Sequence, residues 1–141
     1  MHGSLRIFRT GSFDIKNLEQ FLELAQDYEN PHLLVSDGIL LSTSYIKKDL
    51  VIQRILTSNQ LQKILIDMDD SPCYIIIASS VIESWKKIIV ESIYDILKAK
   101  SYRGAIIFMN IVGKHGIFEF YFGKRVISEE GFNLWVERYQ Q

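Results

Sequence analysis

A six-residue apolar run, Cys73–Ala78, is the feature that most limits how this 141-residue chain can fold. Its sequence, CYIIIA, has no polar position, so it lacks the alternation of a strand with one face in water. The run predicts a central β-strand that is covered on both faces. Helices must then pack against each side of the sheet, and a composition of 48% hydrophobic and 23% charged residues provides the apolar material for such a core.

No feature of the sequence divides the chain into domains. It contains no internal repeat, no low-complexity tract and no linker rich in proline, glycine or serine. We therefore expect residues 1–141 to form a single domain of mixed α/β class. The predicted architecture is a central mixed sheet with helices on both faces, followed by a C-terminal β-hairpin and a short helix.

The first third of the chain predicts a strand, a helix and a second strand. Residues 5–9 are a strand candidate, and apolar residues then recur at helical spacing from Ile15 to Tyr28. Asp14 is the predicted N-cap of this helix, and Asn30 and Pro31 are expected to end it. Residues 33–36 are the next predicted strand.

Residues 37–48 allow two interpretations. Asp37 and Gly38 stand between two apolar runs and favour a type I′ hairpin turn, but Asp37 is equally a residue type that caps helices. The sequence leaves both alternatives open, with the hairpin favoured locally. Residues 49–56 then carry a helical stripe, and the polar break at residues 57–59 predicts the start of a second short helix through Leu65.

Residues 81–98 give the clearest helical pattern. Ser80 and Glu83 predict a capping box at its start, in which each side chain bonds to the other residue's backbone amide. Residues 105–112 and 117–122 are predicted to form a hairpin around the glycine-containing segment between them. Ser128 is the expected N-cap of a last helix.

Nothing in the sequence predicts catalysis. The acidic turn at residues 67–70 lacks the ligand spacing of a calcium loop, and residues 113–116 lack the spacing of a P-loop. The three histidines lie far apart in the sequence. We therefore predict no enzyme activity, no catalytic residue, no metal site and no cofactor. Cys73 is expected to be a buried, inert thiol.

The sequence also predicts a location in the cytoplasm. The first residues, MHGSLRIF, lack the apolar core of a signal peptide. No apolar run approaches the roughly 18 residues that a membrane span requires, so no membrane association is expected.

Basic residues concentrate in one part of the chain, although the net charge is −1. With two tyrosines they are a candidate face for phosphate contacts and base stacking, or else a solvated rim over the core. These residues are Lys98, Lys100, Tyr102, Arg103, Lys114, Tyr121, Lys124 and Arg125. Lys63 belongs to a second, smaller basic cluster.

The order of elements over about residues 4–80 resembles the small kinase-binding subunit of the KEOPS complex, the PRPK-binding protein family. The similarity lies in a helix that ends in a small polar break, a short amphipathic helix, an acidic turn and a buried strand. Here these features correspond to ILTSNQL at Ile55–Leu61 with its continuation through Leu65, the acidic turn at residues 67–70, and residues 74–77. The segment between Ser36 and Asp49 is shorter than the helix and connector of that family, which would make residues 37–48 helical.

The resemblance implies a non-catalytic function. Such a protein would bind the small atypical kinase of the archaeal-like KEOPS complex, and would also bind tRNA through its single-stranded 3′ tail. Its role would be to support the threonylcarbamoyl modification of adenosine in tRNA. The kinase would contact an apolar helix face, with Ile52, Ile55, Leu56 and Leu61 as candidates. Lys63, the later basic cluster and the two tyrosines would contact the tRNA.

Two other functional classes compete with this interpretation. A scaffold or dimerisation module of the roadblock/profilin-like kind would contain a helix, an Asp-Gly hairpin and a second helix, and would form a homodimer. An orphan nucleic-acid-binding regulator would use the basic cluster alone. A helix over residues 38–47 would favour the KEOPS interpretation, whereas a hairpin there would favour the scaffold.

Overall fold

The computed structural model of the protein describes residues 4–40 and 50–113. Its strands and helices, in chain order, are β1 Ser4–Thr10, α1 Ile15–Leu24, β2 His32–Ser36, β3 Val51–Ile55, α2 Ser58–Asp67, β4 Cys73–Ala78, α3 Ser79–Ile82, α4 Lys87–Tyr102 and β5 Ile106–Val112. The five strands form one sheet in the order β1-β5-β4-β2-β3, and each neighbouring pair in the described part of the chain is parallel. The predicted α/β class is confirmed.

The apolar run Cys73–Ala78 is the middle strand of the sheet, as its sequence predicts. All six of its residues are buried. Tyr74 and Ile76 belong to the core on the side of α1, whereas Ile75 and Ile77 belong to the core beneath α2, α3 and α4. Helices therefore cover both faces of the sheet, and this is why the strand contains no polar residue.

Aromatic rings fill the core beneath α1. The ring of Phe21 lies 5.4 Å from that of Tyr74 and 5.5 Å from that of Phe108, both edge-on. Phe8 lies 5.6 Å from Phe108. Edge-to-face contacts of this kind stabilise a core beyond the apolar area that they bury, so this cluster joins α1 to three strands of the sheet.

Two helix starts agree with the sequence. The Asp14 carboxylate accepts a hydrogen bond from the Lys16 amide at 2.9 Å and caps α1. Thr57 caps α2 by accepting from the Gln60 amide at 3.1 Å, and the Gln60 side chain accepts from the Thr57 amide at 3.2 Å. The polar residues after residue 56 therefore start a helix, and a complete capping box stabilises that start.

The helix predicted over residues 49–56 is wrong, because Val51–Ile55 is a strand. This strand, β3, pairs with β2 at the end of the described sheet. Among its residues only Ile55 is fully buried. Five residues are too few to distinguish a helical stripe from a strand by periodicity, and the β-branched side chains of Val51 and Ile52 suit the sheet.

The prediction of a single helix over residues 81–98 is also wrong at the beginning of that segment. The chain forms α3, breaks, and begins α4 at Lys87 without a side-chain cap. Ser80 is exposed, and the Glu83 amide donates to the backbone of Ser79 instead. The break lets Trp85 enter the core, whereas Ile88, which the predicted stripe placed inside, is 70% exposed.

The hairpin predicted at Asp37 and Gly38 does not form on β2, because β2 has β3 on one side and β4 on the other. β5 likewise has β1 on one side and β4 on the other. The mixed sheet is therefore a parallel one in the described part of the chain. Residues 117–122, the helix predicted from Ser128 and the segment 41–49 lie outside the described residues.

Candidate functional site

Small polar residues lie at the carboxyl ends of four adjacent strands. They are Thr10 of β1, Asn110 near the end of β5, Ser79 just after β4 and Ser36 of β2. We refer to these four residues as the carboxyl-edge cluster. Open parallel sheets bind their ligands at this edge, where successive connections leave toward opposite faces. Here β1 leads into α1 on one face, and β4 leads into α3 and α4 on the other.

Ser36 bridges β2 and β4 where the two strands separate. The last paired residues of these strands are Val35 and Ile76. One position further on, the Ser36 hydroxyl accepts from the Ala78 amide at 2.9 Å and donates to the Asp37 carbonyl at 2.8 Å. The side chain thus replaces a ladder hydrogen bond and keeps the buried Ala78 amide satisfied.

Arg54 of β3 holds the turn that follows β2. One of its terminal nitrogens donates to the Ser36 carbonyl at 2.7 Å and to the Ile39 carbonyl at 3.1 Å. Because a guanidinium presents several donors in a rigid plane, it can fix two carbonyl groups of one turn at once. The position of the turn next to the carboxyl-edge cluster is therefore set by a side chain from the neighbouring strand.

Two glycines allow turns to approach the end of β4 closely. Gly38 has φ +81°, and a Cβ there would lie 3.3 Å from the Ala78 Cβ. Gly113 has φ +111°, and a Cβ there would lie 2.7 Å from the Ser79 Oγ. The Gly113 amide also donates to the Thr10 carbonyl at 2.7 Å. Any larger residue at position 113 would force the Ser79 side chain to shift and would strain the backbone, because side chains rarely adopt this φ.

Asn110 has the most unusual environment in the cluster. Its side chain is 0% exposed. The Nδ2 group donates to Thr10 Oγ1 at 2.9 Å and to the Ile111 carbonyl at 3.4 Å. The Oδ1 atom, by contrast, has no hydrogen-bond donor within reach among the residues that the structure describes. A buried carbonyl oxygen without a donor is uncommon and calls for a functional or structural explanation.

The residues predicted to bind a partner do not share one surface. Ile52 and Leu56 are 46% and 56% exposed at the β3 end of the sheet. Ile55 and Leu61 are completely buried and belong to the core beneath α2 and α4. The reason is that residues 51–55 form a strand, so that its side chains alternate between faces instead of lining a helix face.

Two members of the basic cluster, Lys100 and Arg103, make their contacts within the fold. Lys100 is only 4% exposed, and its ammonium group lies 3.3 Å from the Met68 carbonyl and 3.2 Å from the Asp69 carbonyl. Arg103 forms a bidentate ion pair with Asp70, with both N–O distances at 3.1 Å. Its hydrogen bond lowers the pKa of the Asp70 carboxyl. The turn between α2 and β4 thus meets the end of α4 through charges of opposite sign.

The remaining cationic and aromatic candidates in the described residues are Lys63, Lys98 and Tyr102. Lys63 and Tyr102 are exposed, and the Lys98 ammonium lies 5.6 Å from the centre of the Tyr94 ring. Lys114, Tyr121, Lys124 and Arg125 lie outside the described residues.

The reactive side chains near the amino ends of the strands are shielded. Cys73 is buried, and burial raises the pKa of its thiol to about 12, as expected for an inert cysteine. Desolvation lowers the pKa of His32 on the neighbouring strand. In residues 4–40 and 50–113 no three His, Cys, Asp or Glu side chains lie close enough to hold a metal ion. No helix in the same ranges is long and apolar enough to cross a membrane.

Sequence reasoning missed the carboxyl-edge cluster. Ser36 and Ser79 directly follow apolar runs, and Asn110 is the one polar residue within the apolar run Ile106–Val112, which are the signals that could have pointed to the cluster. Those signals become useful only when the strands are known to be parallel and their order is known, because only then do the four ends meet. Comparison with known proteins found no family model that matches the chain and no curated protein that matches it.

Proposed function

We propose that this protein binds a small polar ligand at the carboxyl-edge cluster. The observation that carries the proposal is the placement of Thr10, Ser36, Ser79 and Asn110 at one edge of a parallel sheet, where Thr10 and Asn110 are hydrogen-bonded. The glycine turns after β2 and β5 support it, since they bring backbone close to the same place. The role is binding, because the described residues at this edge contain no nucleophile paired with a base.

A change at Thr10 tests this proposal. Thr10→Val keeps the shape of the side chain but removes the hydroxyl that lies 2.9 Å from Asn110 Nδ2. The thermal unfolding of both proteins is measured with adenosine, D-ribose, L-glutamine and inorganic phosphate. A ligand at 100 times its Kd stabilises a protein by about 2.7 kcal/mol, which we expect for at least one compound with the wild type. The variant should lose most of this stabilisation.

Ser92→Ala is the matched control. Ser92 lies on α4, is not a member of the carboxyl-edge cluster, and accepts a hydrogen bond from Gln62. This variant should retain the ligand-dependent stabilisation of the wild type. Equal stabilisation of wild type and Thr10→Val, or none with any compound, would contradict the proposal.

Binding of a protein partner at β3 is a second candidate function. The observation that favours it is the exposure of Ile52 and Leu56 at the last strand of the described sheet. A strand at the end of a sheet can accept a partner through backbone pairing and apolar contacts. The resemblance to the KEOPS subunit names its small kinase as that partner, although β3 stands where the family signature begins with a helix. A tRNA contact through Lys63 and Tyr102 belongs to the same candidate function.

Co-elution with the small KEOPS kinase of the same organism tests this second function. Wild type should form a one-to-one complex, and the double variant Ile52→Asp/Leu56→Asp should not. Ile88→Asp is the control, since Ile88 is also exposed but lies on α4. Absence of a complex with a competent kinase would remove this candidate. The roadblock/profilin-like scaffold has less support, because the Asp-Gly turn does not form a hairpin on β2.

A further inference from the structure

The orientation of the Asn110 side-chain amide is determined by its neighbours. Both hydrogens of Nδ2 have acceptors, Thr10 Oγ1 at 2.9 Å and the Ile111 carbonyl at 3.4 Å. Rotating the amide by half a turn would place Oδ1 against the Ile111 carbonyl oxygen, and two acceptors repel each other. The open atom of Asn110 is therefore the oxygen, which accepts hydrogen bonds and cannot donate them.

This open acceptor lies next to a hydroxyl group. Thr10 Oγ1 accepts from Asn110 Nδ2 and still carries its own hydrogen, so it can donate to another group. An acceptor and a donor thus stand side by side at the ends of β1 and β5. A hydroxyl group matches this pair, because it can donate to Asn110 and accept from Thr10. A phosphate or carboxylate oxygen has no hydrogen for Asn110 and is repelled by its carbonyl dipole.

We propose that the ligand of the carboxyl-edge cluster presents a sugar-type hydroxyl group to Asn110 and Thr10, with Asn110 as a specificity-determining residue. This inference rests on the proposed binding function. Ribose within a nucleoside and a free sugar share the required chemistry. Asn110 is 0% exposed, so a ligand contacts its oxygen only after the residues around it shift. Binding then supplies a hydrogen bond to the Asn110 oxygen, which otherwise has no donor in the described part of the fold.

Calorimetric titration with matched probes tests the inference. Adenosine is compared with 2′,3′-dideoxyadenosine, which has the same base but lacks both ring hydroxyls, and with D-ribose. A site built to bond a hydroxyl rejects the analogue without it, so the wild type should bind adenosine at least tenfold more tightly than the dideoxy compound. In Asn110→Leu the two affinities should differ by less than twofold. D-ribose binding would identify a free sugar as sufficient, and adenosine binding alone would identify a nucleoside.

Thr10→Val provides a second route to the same answer if Asn110→Leu does not fold. It removes the other half of the hydroxyl-binding pair and should also reduce the preference for adenosine. Circular dichroism establishes that each variant is folded before its titration.

Several results would overturn the inference. Equal affinity for adenosine and its dideoxy analogue would show that the hydroxyls are not recognised. Absence of binding by all three probes would show that the Asn110 oxygen accepts its hydrogen bond from water or from the protein itself. If L-glutamine or phosphate nevertheless stabilises the wild type but not Thr10→Val, the binding function stands and only the hydroxyl specificity is wrong. If no compound binds, both proposals fail.

Discussion

Among the Lys, Arg, Asp and Glu side chains of the described residues, Lys100 is the one that the fold buries almost completely. Its ammonium group lies near two backbone carbonyls, and at 3.5 Å from Asp70 Oδ1 it also neutralises a carboxylate. Buried charges remain stable only when they are paired and hydrogen-bonded in this way. Lys100 therefore joins the end of α4 to the turn before β4, and its contribution to the fold does not depend on a nucleic-acid ligand.

Lys100→Met tests this role at the scale of a single residue. Methionine fits the path of the side chain but leaves the Met68 and Asp69 carbonyls without their donor. The free energy of unfolding should fall by about 1–3 kcal/mol in urea titrations. Lys87→Met, which removes an exposed ion pair with Glu91 at 3.8 Å, should cost less than about 1 kcal/mol. Equal effects of the two variants would show that the buried contacts of Lys100 do not stabilise the fold.

The ion pair of Asp70 predicts a dependence of stability on pH. Its hydrogen bond with Arg103 lowers the pKa of Asp70 from the ordinary 3.8, so the folded state holds the ionised carboxylate more strongly than the unfolded state does. This contribution is complete above the ordinary pKa and is lost as the pH falls through the folded one. Asp70→Asn should therefore reduce the loss of stability between neutral and acidic pH in urea titrations. Asp95→Asn is the control, and an unchanged pH profile in Asp70→Asn would contradict the prediction.

At the scale of an element, the capping box predicted at Ser80 and the capping box observed at Thr57 give opposite outcomes. Thr57 completes its box with Gln60, whereas Ser80 is exposed and makes no capping bond to α4. Thr57→Ala should lower the free energy of unfolding by about 1 kcal/mol, and Ser80→Ala should change it by less than about 0.5 kcal/mol. Denaturant titration of the two variants distinguishes them. A larger loss in Ser80→Ala would support one continuous helix over residues 81–98.

The α3–α4 break also shows why the helix pattern was misleading. Ile82 and Trp85 are buried on one side of the break, and Val90, Ile93 and Leu97 are buried after it. Both groups have helical spacing, so a continuous stripe through Ile88 looked consistent with them. The position of Trp85 is decided by the core that it fills with Ile7 and Met109, and this tertiary packing is not encoded in local periodicity.

At the scale of the whole molecule, the topology decides how much could be predicted. β4 and the caps Asp14 and Thr57 follow from neighbouring residues and were predicted. The parallel strand order does not follow from neighbouring residues. Hairpin signals act over a few residues, whereas parallel pairing joins strands that are distant in the sequence. Thr10 and Asn110 lie 100 positions apart in the sequence and meet because β1 pairs with β5. The candidate site therefore became visible only with the assembled sheet.

The most direct measurement is a map of backbone amide signals by nuclear magnetic resonance during titration with adenosine, D-ribose, L-glutamine and inorganic phosphate. A compound that binds as proposed should shift the signals of Gly11, Gly38, Ser79 and Gly113 at the carboxyl ends of the strands. The signals of residues 69–71, at the amino end of β4, should remain unchanged. Shifts confined to residues 69–71, or no shift with any compound, would contradict the proposal that the carboxyl edge of this sheet is the binding site.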